Sequence, residues 1–218
     1  MFTIPDRLFL LSLYEKRNGS IQLSKSPFLS YGLIAGSLVE LVLAKAAAIN
    51  SSKKLIILNP AIDKSLMPDN LIRHIMFEKS LKKAGFWIEA LGRKRKRVEE
   101  DFLNSFLEKR ILVLDGQVCH FHPDHSTSPT CKFIVKEAIR DQVLGNVDID
   151  IETLIILRIM NSIHLLDRIF TSDEIKPIHL FIDQVKQSDF SFTADHQIPD
   201  SILGILDALN QVVNQTTE

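Results

Sequence analysis

Residues 29–49 read LSYGLIAGSLVELVLAKAAAI, and apolar side chains cover almost every face of the helix this stretch would form. A helix that is apolar all round is stable in a bilayer or at the buried centre of a globular domain. A span needs about 20 apolar residues with few or no charges. Here Glu40 falls near the middle and Lys45 follows it. Gly32, Gly36 and Ser37 make the first half narrow, and the two glycines, four residues apart, let neighbouring backbones approach one face. The stretch is therefore expected to be a central helix wrapped by other helices.

The 218 residues are enough for one large domain, and a single helical domain, 1–218, is the expected organisation. With 45% hydrophobic and 24% charged residues the composition is that of an ordinary globular protein. A net charge of -1 supplies no global basic field for nucleic acid, so any such role would need a local patch. Two cysteines, Cys119 and Cys131, make no disulfide framework and fit a reducing compartment. The opening MFTIPDRLFLLSLYEKR is not read as a signal peptide, because Asp6 and Arg7 interrupt it and no small-residue cleavage site follows. The expected location is the cytoplasm, or the cytosolic face of a membrane as a peripheral protein.

Along the chain, Pro5 at a first helical turn precedes Leu8, Phe9, Leu10, Leu11 and Leu13, a short buried helix. Asn18-Gly19 is a turn signal and 21–23 a short strand. The central helix is expected to end at Asn50-Ser51-Ser52, and a buried strand at 53–58 to stop at Asn59-Pro60. Further helices are read from Leu71, Ile72, Ile75 and Met76, from Trp87, Ile88 and Leu91, and from Val98, Phe102, Leu103, Phe106 and Leu107. Residues 111–121 form the clearest hairpin, with Asp115-Gly116 suited to a type I′ turn. A polar loop spans 122–129, and helices are expected over 132–144, 151–170, 175–185 and 202–213. The fold class is mainly α, with small β-hairpin elements.

The strongest polar signal is the run Arg93, Lys94, Arg95, Lys96, Arg97. Consecutive cations attract phosphate, whether of lipid headgroups or nucleic acid, arginine as a bidentate fork and lysine as a point charge. The plainer reading is a solvated helix start neutralised by Glu99, Glu100 and Asp101. Cys119, His120, His122, His125 and Cys131 are zinc-ligand types, but their spacing matches no closed zinc site, and in a strand Cys119 and His120 point to opposite faces. The plainer reading there is a hairpin edge and a loop. Asp148-Ile149-Asp150 reads as a helix cap, and His164, Asp167 and Arg168 as an ordinary trio on one helix. No G-x-S-x-G, Walker A, G-x-G-x-x-G or H-E-x-x-H occurs, and no catalytic set can be assembled. This favours a binding module.

Three blocks resemble the Golgi phosphoprotein 3 family. FTIPDRLFLLSL at 2–13 is similar to the family's L-T-L-x-E-E-L-L-L-L-x-L, and LSYGLIAGSLVELVL at 29–43 to its small-residue helix ending in L-x-E-L-A-L. FWIEAL at 86–91 with VEEDFLNSFLEKRIL at 98–112 is similar to W-I-x-x-L and R-L-V-E-K-G-V-L. Order and spacing agree over nearly the whole chain. The resemblance implies a mostly helical, non-enzymatic phosphoinositide reader without a cofactor, which binds phosphatidylinositol 4-phosphate on Golgi membranes and recruits cytosolic tails of glycosyltransferases. In eukaryotic members a tryptophan, an arginine at the central helix and two basic residues three apart form the phosphate pocket. These positions fall here at Lys25, Ile34, Lys96 and Glu99, and of the three basic ones only Lys96 keeps its charge. Free amides around Gly32 and Leu33, with Lys25 and the run Arg93, Lys94, Arg95, Lys96, Arg97, are the expected substitutes. The chain is expected to begin at the domain, without the arginine-bearing arm of eukaryotic members, as bacterial-type members do. The hairpin 111–121 falls at the family's oligomerisation hairpin, which implies a homo-oligomer through its edge.

The leading expectation is a peripheral adaptor that docks on anionic phospholipid or phosphoinositide through Lys25, Arg93, Lys94, Arg95, Lys96 and Arg97. Cytosolic tails of membrane enzymes are its expected protein partners, and nucleic acid is not expected. The alternative is a cytosolic protein-interaction module without lipid binding. A third reading is a small zinc protein built on Cys119 to Cys131.

Overall fold

The structure is a computed structural model that describes residues 2–59, 66–78, 80–122, 128–145, 149–187 and 198–217. Helix α1, Ile4–Ser12, starts at Thr3, whose hydroxyl accepts the Asp6 N–H at 3.3 Å while the Asp6 carboxylate accepts the Thr3 N–H at 3.3 Å. This reciprocal box satisfies two end donors, and Pro5 in the first turn needs none. The chain runs straight into β1, Leu13–Glu15, which pairs antiparallel with β2, Ile21–Leu23. Then follow α2, Leu29–Leu43, and the antiparallel pair β3, Ala47–Ile49, with β4, Leu55–Ile57. Helices α3, Asp69–Met76, α4, Ala84–Gly92, and α5, Arg95–Glu108, lead to the hairpin β5, Leu112–Asp115, and β6, Val118–Phe121. The remainder is helical: α6, Ser128–Leu144, α7, Ile151–Ser162, a 3-10 turn at Leu166–Arg168, α8, Ser172–Gln187, and α9, Asp200–Thr217. The fold is mainly α with small two-stranded hairpins.

Helix α2 is the centre. Every residue from Leu29 to Val39 is buried, and α1, α4, α5, α7 and α9 all pack on it. The two glycines admit different neighbours. A Cβ on Gly32 would meet Ile159 and Ile163 of the α7 end, and one on Gly36 would meet Ile4 and Leu8 of α1. The Glu40 carboxylate supports a neighbouring helix. Its Oε2 accepts the Ile4 N–H at 3.0 Å, so the charge that argued against a membrane span caps α1. Burial holds the Glu40 carboxyl above the ordinary glutamate value, although the Ile4 hydrogen bond and Arg7 oppose it. Phe9 joins this layer to α5, with ring centroids 5.7 Å from Phe102 and 4.9 Å from Phe106. Lys109 at the end of α5 bonds the buried Asp6 carboxylate at 2.8 and 2.9 Å.

Three helix ends differ from, or were hidden from, the sequence reading, and for one reason. Helix α2 stops at Leu43 rather than at Asn50-Ser51-Ser52. Lys45 takes φ 55°, the Ala46 N–H donates to Leu41 O at 2.9 Å and the Lys45 N–H to Val42 O at 3.0 Å. That is a Schellman end, normally built on glycine. The same end closes α5 with Arg110 at φ 56° and α7 with His164 at φ 53°. The expected helix 151–170 is therefore broken after Ser162, and His164 does not share a helix with Asp167 and Arg168. Residues 44–49 leave the helix, and Ala47–Ile49 form β3. The third hairpin also differs in its turn. Asp115 pairs with Val118, so Gly116 and Gln117 form the loop, and Gly116 alone has positive φ, 61°, which fits type II′ rather than I′.

Candidate functional site

The basic run straddles a helix break. Gly92 ends α4, Arg93 is its C-cap residue, Lys94 precedes α5, and Arg95, Lys96 and Arg97 occupy the first turn of α5. No acidic residue lies in that turn and no side chain caps it. Cations at a helix N-terminus oppose the macrodipole, at about 0.3–1 kcal/mol each when exposed. Ion pairs reduce this cost: Arg93 bonds Glu89 at 2.5 Å, Arg95 bonds Glu99 at 2.7 Å, and Lys96 lies 3.9 Å from Glu100. Among the described residues Lys94 and Arg97 have no acidic partner. The Lys96 side chain is 91% exposed and that of Arg93 70%, so both heads stand in solvent.

What holds the break in place is α2. The Ser30 hydroxyl donates to Gly92 O at 2.7 Å, and a Cβ on Gly92 would strike the Tyr31 ring at 2.6 Å. Phe28 lies 6.2 Å from Tyr31 and 5.9 Å from His164, and the Ser26 hydroxyl donates to Ile163 O at 3.0 Å. The start of α2 is thus clamped between the α4–α5 junction and the end of α7. Lys25 is exposed on the far side of this clamp. With Ser24, Tyr14 and Arg168 it lines a cleft of about 330 Å³ floored by Leu11, Leu13, Leu165 and Ile169. Arg168 reaches the Ser24 hydroxyl at 3.4 Å. No ion pair, hydrogen bond or shared cleft joins Lys25 to the run among the described residues.

The other positions carried over from the resemblance behave differently. Ile34 is fully buried in the α2 core and offers no donor. Glu99 is occupied by Arg95. The expected free amides at Gly32 and Leu33 are corrected by the helix boundary: α2 begins at Leu29, and the Gly32 N–H already donates to Phe28 O at 3.2 Å. Arg168, read from the sequence only as part of an ordinary trio, lines the cleft of Lys25 once the chain breaks after α7. Sequence reasoning passed over two lysine doublets. Lys54 and Lys83 form an antiparallel bridge, and the Leu55 N–H donates to Lys82 O at 2.9 Å, which sets Lys53-Lys54 beside Lys82-Lys83. Each doublet is visible in the sequence, but their meeting is not.

The possible chemical residues are engaged elsewhere. The buried hydroxyls of Ser26, Ser30 and Ser37 all donate to backbone carbonyls. Burial pushes the Cys119 thiol up, away from thiolate character. The His120 ring donates from Nδ1 to Gly19 O at 3.0 Å, tying the third hairpin to the first. Among the described residues no three His, Cys, Asp or Glu side chains converge as a metal site, and His125 and the Cys131 side chain lie outside them. Asp150 caps α7 through the Thr153 N–H at 2.6 Å, as read from the sequence, while Asp148 lies outside the described residues. No described helix is long and apolar enough to cross a membrane. The tip of the 111–121 hairpin is open, with Leu114 56% and Val118 41% exposed.

No curated protein matches the chain. A profile of the Golgi phosphoprotein 3 (GPP34) family matches residues 4–197. The match spans α1, the central helix α2 and the α4–α5 junction, where the three sequence blocks lie, and the chain belongs to the Golgi phosphoprotein 3 family.

Proposed function

We propose that this chain is a non-enzymatic peripheral adaptor that docks on anionic membrane through the α4–α5 junction. The observation that carries the reading is the first turn of α5. Arg95, Lys96 and Arg97 sit where helix electrostatics disfavour cations, and Lys94 and Arg97 keep their charge uncompensated among the described residues. Local rules are broken most often where function needs it. Each cation near an anionic surface contributes about 1 kcal/mol at physiological salt, so three or four give measurable, salt-sensitive binding. Lys25 with Arg168 adds a second cationic point across the start of α2. Phosphatidylinositol 4-phosphate is the headgroup the family membership favours, and tails of membrane enzymes are the protein partners. Oligomer formation through the 111–121 hairpin belongs to the same proposal.

The test is flotation with neutral vesicles and with vesicles carrying phosphatidylserine, cardiolipin or phosphatidylinositol 4-phosphate, at low and physiological salt. The Arg93→Glu/Arg95→Glu/Arg97→Glu variant should lose binding and keep its helical circular dichroism. Glutamate at 95 and 97 suits the dipole of α5 and offsets the like-charge contacts with Glu89 and Glu99 that the reversal creates, each worth about 0.2–0.5 kcal/mol, and the circular dichroism separates unfolding from lost binding. Unchanged binding by this variant would remove the run from the reading. A second reading, a cytosolic protein-interaction module, is favoured by Ile34 and Glu99, which leave the family's phosphate position without two of its cations. Absence of binding to every vesicle would decide for it.

A further inference from the structure

Between β4, the end of α3 and the start of α4 lies a groove of about 200 Å³, lined on one part by Ile57, Ile75, Met76, Leu81 and Trp87 and on another by Glu78, Ser80 and Lys82. Exposed apolar side chains make its rim: Leu81 (51%) and Met76 (38%) from the lining itself, and Phe77 (80%) and Phe86 (42%) from the chain positions next to Met76 and Trp87. Beside it stand Lys53, Lys54, Lys82 and Lys83, joined by the Lys54–Lys83 bridge. None of the four has an acidic partner at ion-pair distance among the described residues. The acid facing this rim is Glu78, which the Ser80 N–H and hydroxyl hold at 3.3 and 2.8 Å. Lys82 lies 5.0 Å over the Phe86 ring, and Phe86 stands edge-on to Trp87 at 5.3 Å. Phe86 on α4 and Arg93 at its C-cap are seven residues apart, nearly two full turns, and so fall on one flank of that helix.

We propose that this rim is the insertion face of the membrane dock: Phe77, Leu81 and Phe86 enter the headgroup–acyl boundary of an anionic bilayer while the four lysines lie among its headgroups. The inference rests on the membrane reading above and adds to it the apolar element that the arginine run lacks. Protruding apolar tips ringed by lysine are the composition of an interfacial anchor. A protein interface is depleted of lysine at its core. A second copy of this chain docked across a two-fold axis would set the four lysines against their own duplicates, so the charge excludes that occupant. The two parts of the dock differ in kind. Attraction by the cations fades with salt, and burial of the apolar tips does not.

Trp87 is the only tryptophan in the chain and lies directly behind Phe86, so it reports on this face. Vesicles of phosphatidylserine with acyl-chain-brominated phosphatidylcholine should quench its fluorescence, and part of the binding should survive high salt. The Phe77→Ser/Leu81→Ser/Phe86→Ser variant changes only exposed side chains. It should lose the salt-resistant binding by at least about tenfold, lose the quenching, and retain low-salt binding. Lys82→Glu/Lys83→Glu should weaken low-salt binding by roughly fivefold or more per lysine. Salt-resistant binding and quenching equal to the wild type in the triple serine variant would overturn the insertion face and leave the arginine run standing. Binding that survives reversal of Arg93, Arg95 and Arg97 but falls in the triple serine variant would overturn the run as the dock and retain this face. Self-association in vesicle-free buffer that the triple serine variant abolishes would replace the bilayer by a second copy.

Discussion

The close contact between α2 and α7 can be tested by Gly32→Ala, where two well-known effects have opposite signs. In an open helix interior this change stabilises by about 0.5–1 kcal/mol, because alanine loses less backbone entropy on folding. Here the new Cβ would lie 2.7 Å from Ile163 Cδ1, 3.1 Å from Ile163 Cγ2 and 3.2 Å from Ile159 Cγ2. Carbon pairs prefer roughly 3.5–4.0 Å, so the end of Ile163 must retreat by about 0.8 Å. Ile159 and Ile163 are fully buried and have nowhere open to go. Overpacking of this kind costs about 1–3 kcal/mol. The net loss is therefore up to about 2.5 kcal/mol, and at roughly 2–4 °C per kcal/mol the Tm should fall by up to about 10 °C. The Ile163→Val change removes Cδ1 and by itself should cost about 0.5–1.5 kcal/mol. Combined with Gly32→Ala it should cost less than the sum, by at least about 0.5 kcal/mol, since the new methyl occupies the vacated space. Urea unfolding followed by far-ultraviolet circular dichroism on the four proteins measures the cycle. A Tm raised by Gly32→Ala, or strict additivity of the pair, would refute the packing argument.

Two further expectations follow from other positions. Glu40 binds its proton more tightly folded than unfolded, so stability falls as pH rises from the ordinary 4.5 through the raised folded value and is level above it. Glu40→Gln keeps an acceptor for the Ile4 N–H and should remove that fall, which urea midpoints at acidic and neutral pH will show; a variant with the same pH dependence as the wild type would exclude Glu40 as its source. Arg110 holds the left-handed end of α5 at φ 56°, where the family block K-G-V-L carries glycine. Arg110→Gly should relieve about 1–2 kcal/mol of left-handed strain against about 0.4–1 kcal/mol of added chain entropy, for a net gain near ~1 kcal/mol in a thermal melt; a lowered Tm would mean that the guanidinium supports the fold in some other way.

Much of the fold was legible because burial leaves a periodic trace. The all-round apolar stretch, the Leu71–Ile75 and Val98–Phe106 rhythms and the apolar run after Pro5 each became a helix, and Asp150 became the cap it was read as. The helix ends were harder. A left-handed C′ position is normally announced by glycine, and here Lys45, Arg110 and His164 hold it, so nothing in the local sequence marks the stop. These residues are held there by the packing and hydrogen bonds around them rather than by their own preference. The candidate site divides in the same way. The run Arg93, Lys94, Arg95, Lys96, Arg97 is contiguous and could be read directly, as could its neutralisation by Glu99 and Glu100, whereas its separation from Lys25 and the pairing of Arg93 back to Glu89 could not.

What the sequence by itself determined is therefore the central helix, the helical class, the family and the presence of one cationic run, all properties carried by residues near one another in the chain. What only the tertiary structure decided is which charges meet. Lys53-Lys54 comes beside Lys82-Lys83 through one backbone bridge, Arg168 reaches the cleft of Lys25 through the break after α7, and Glu40 becomes the cap of a helix 36 residues away. Hydrophobic periodicity is a local pattern and survives in one dimension. The neighbours of a charge depend on how several helices close around α2, and that is settled only when the core is packed.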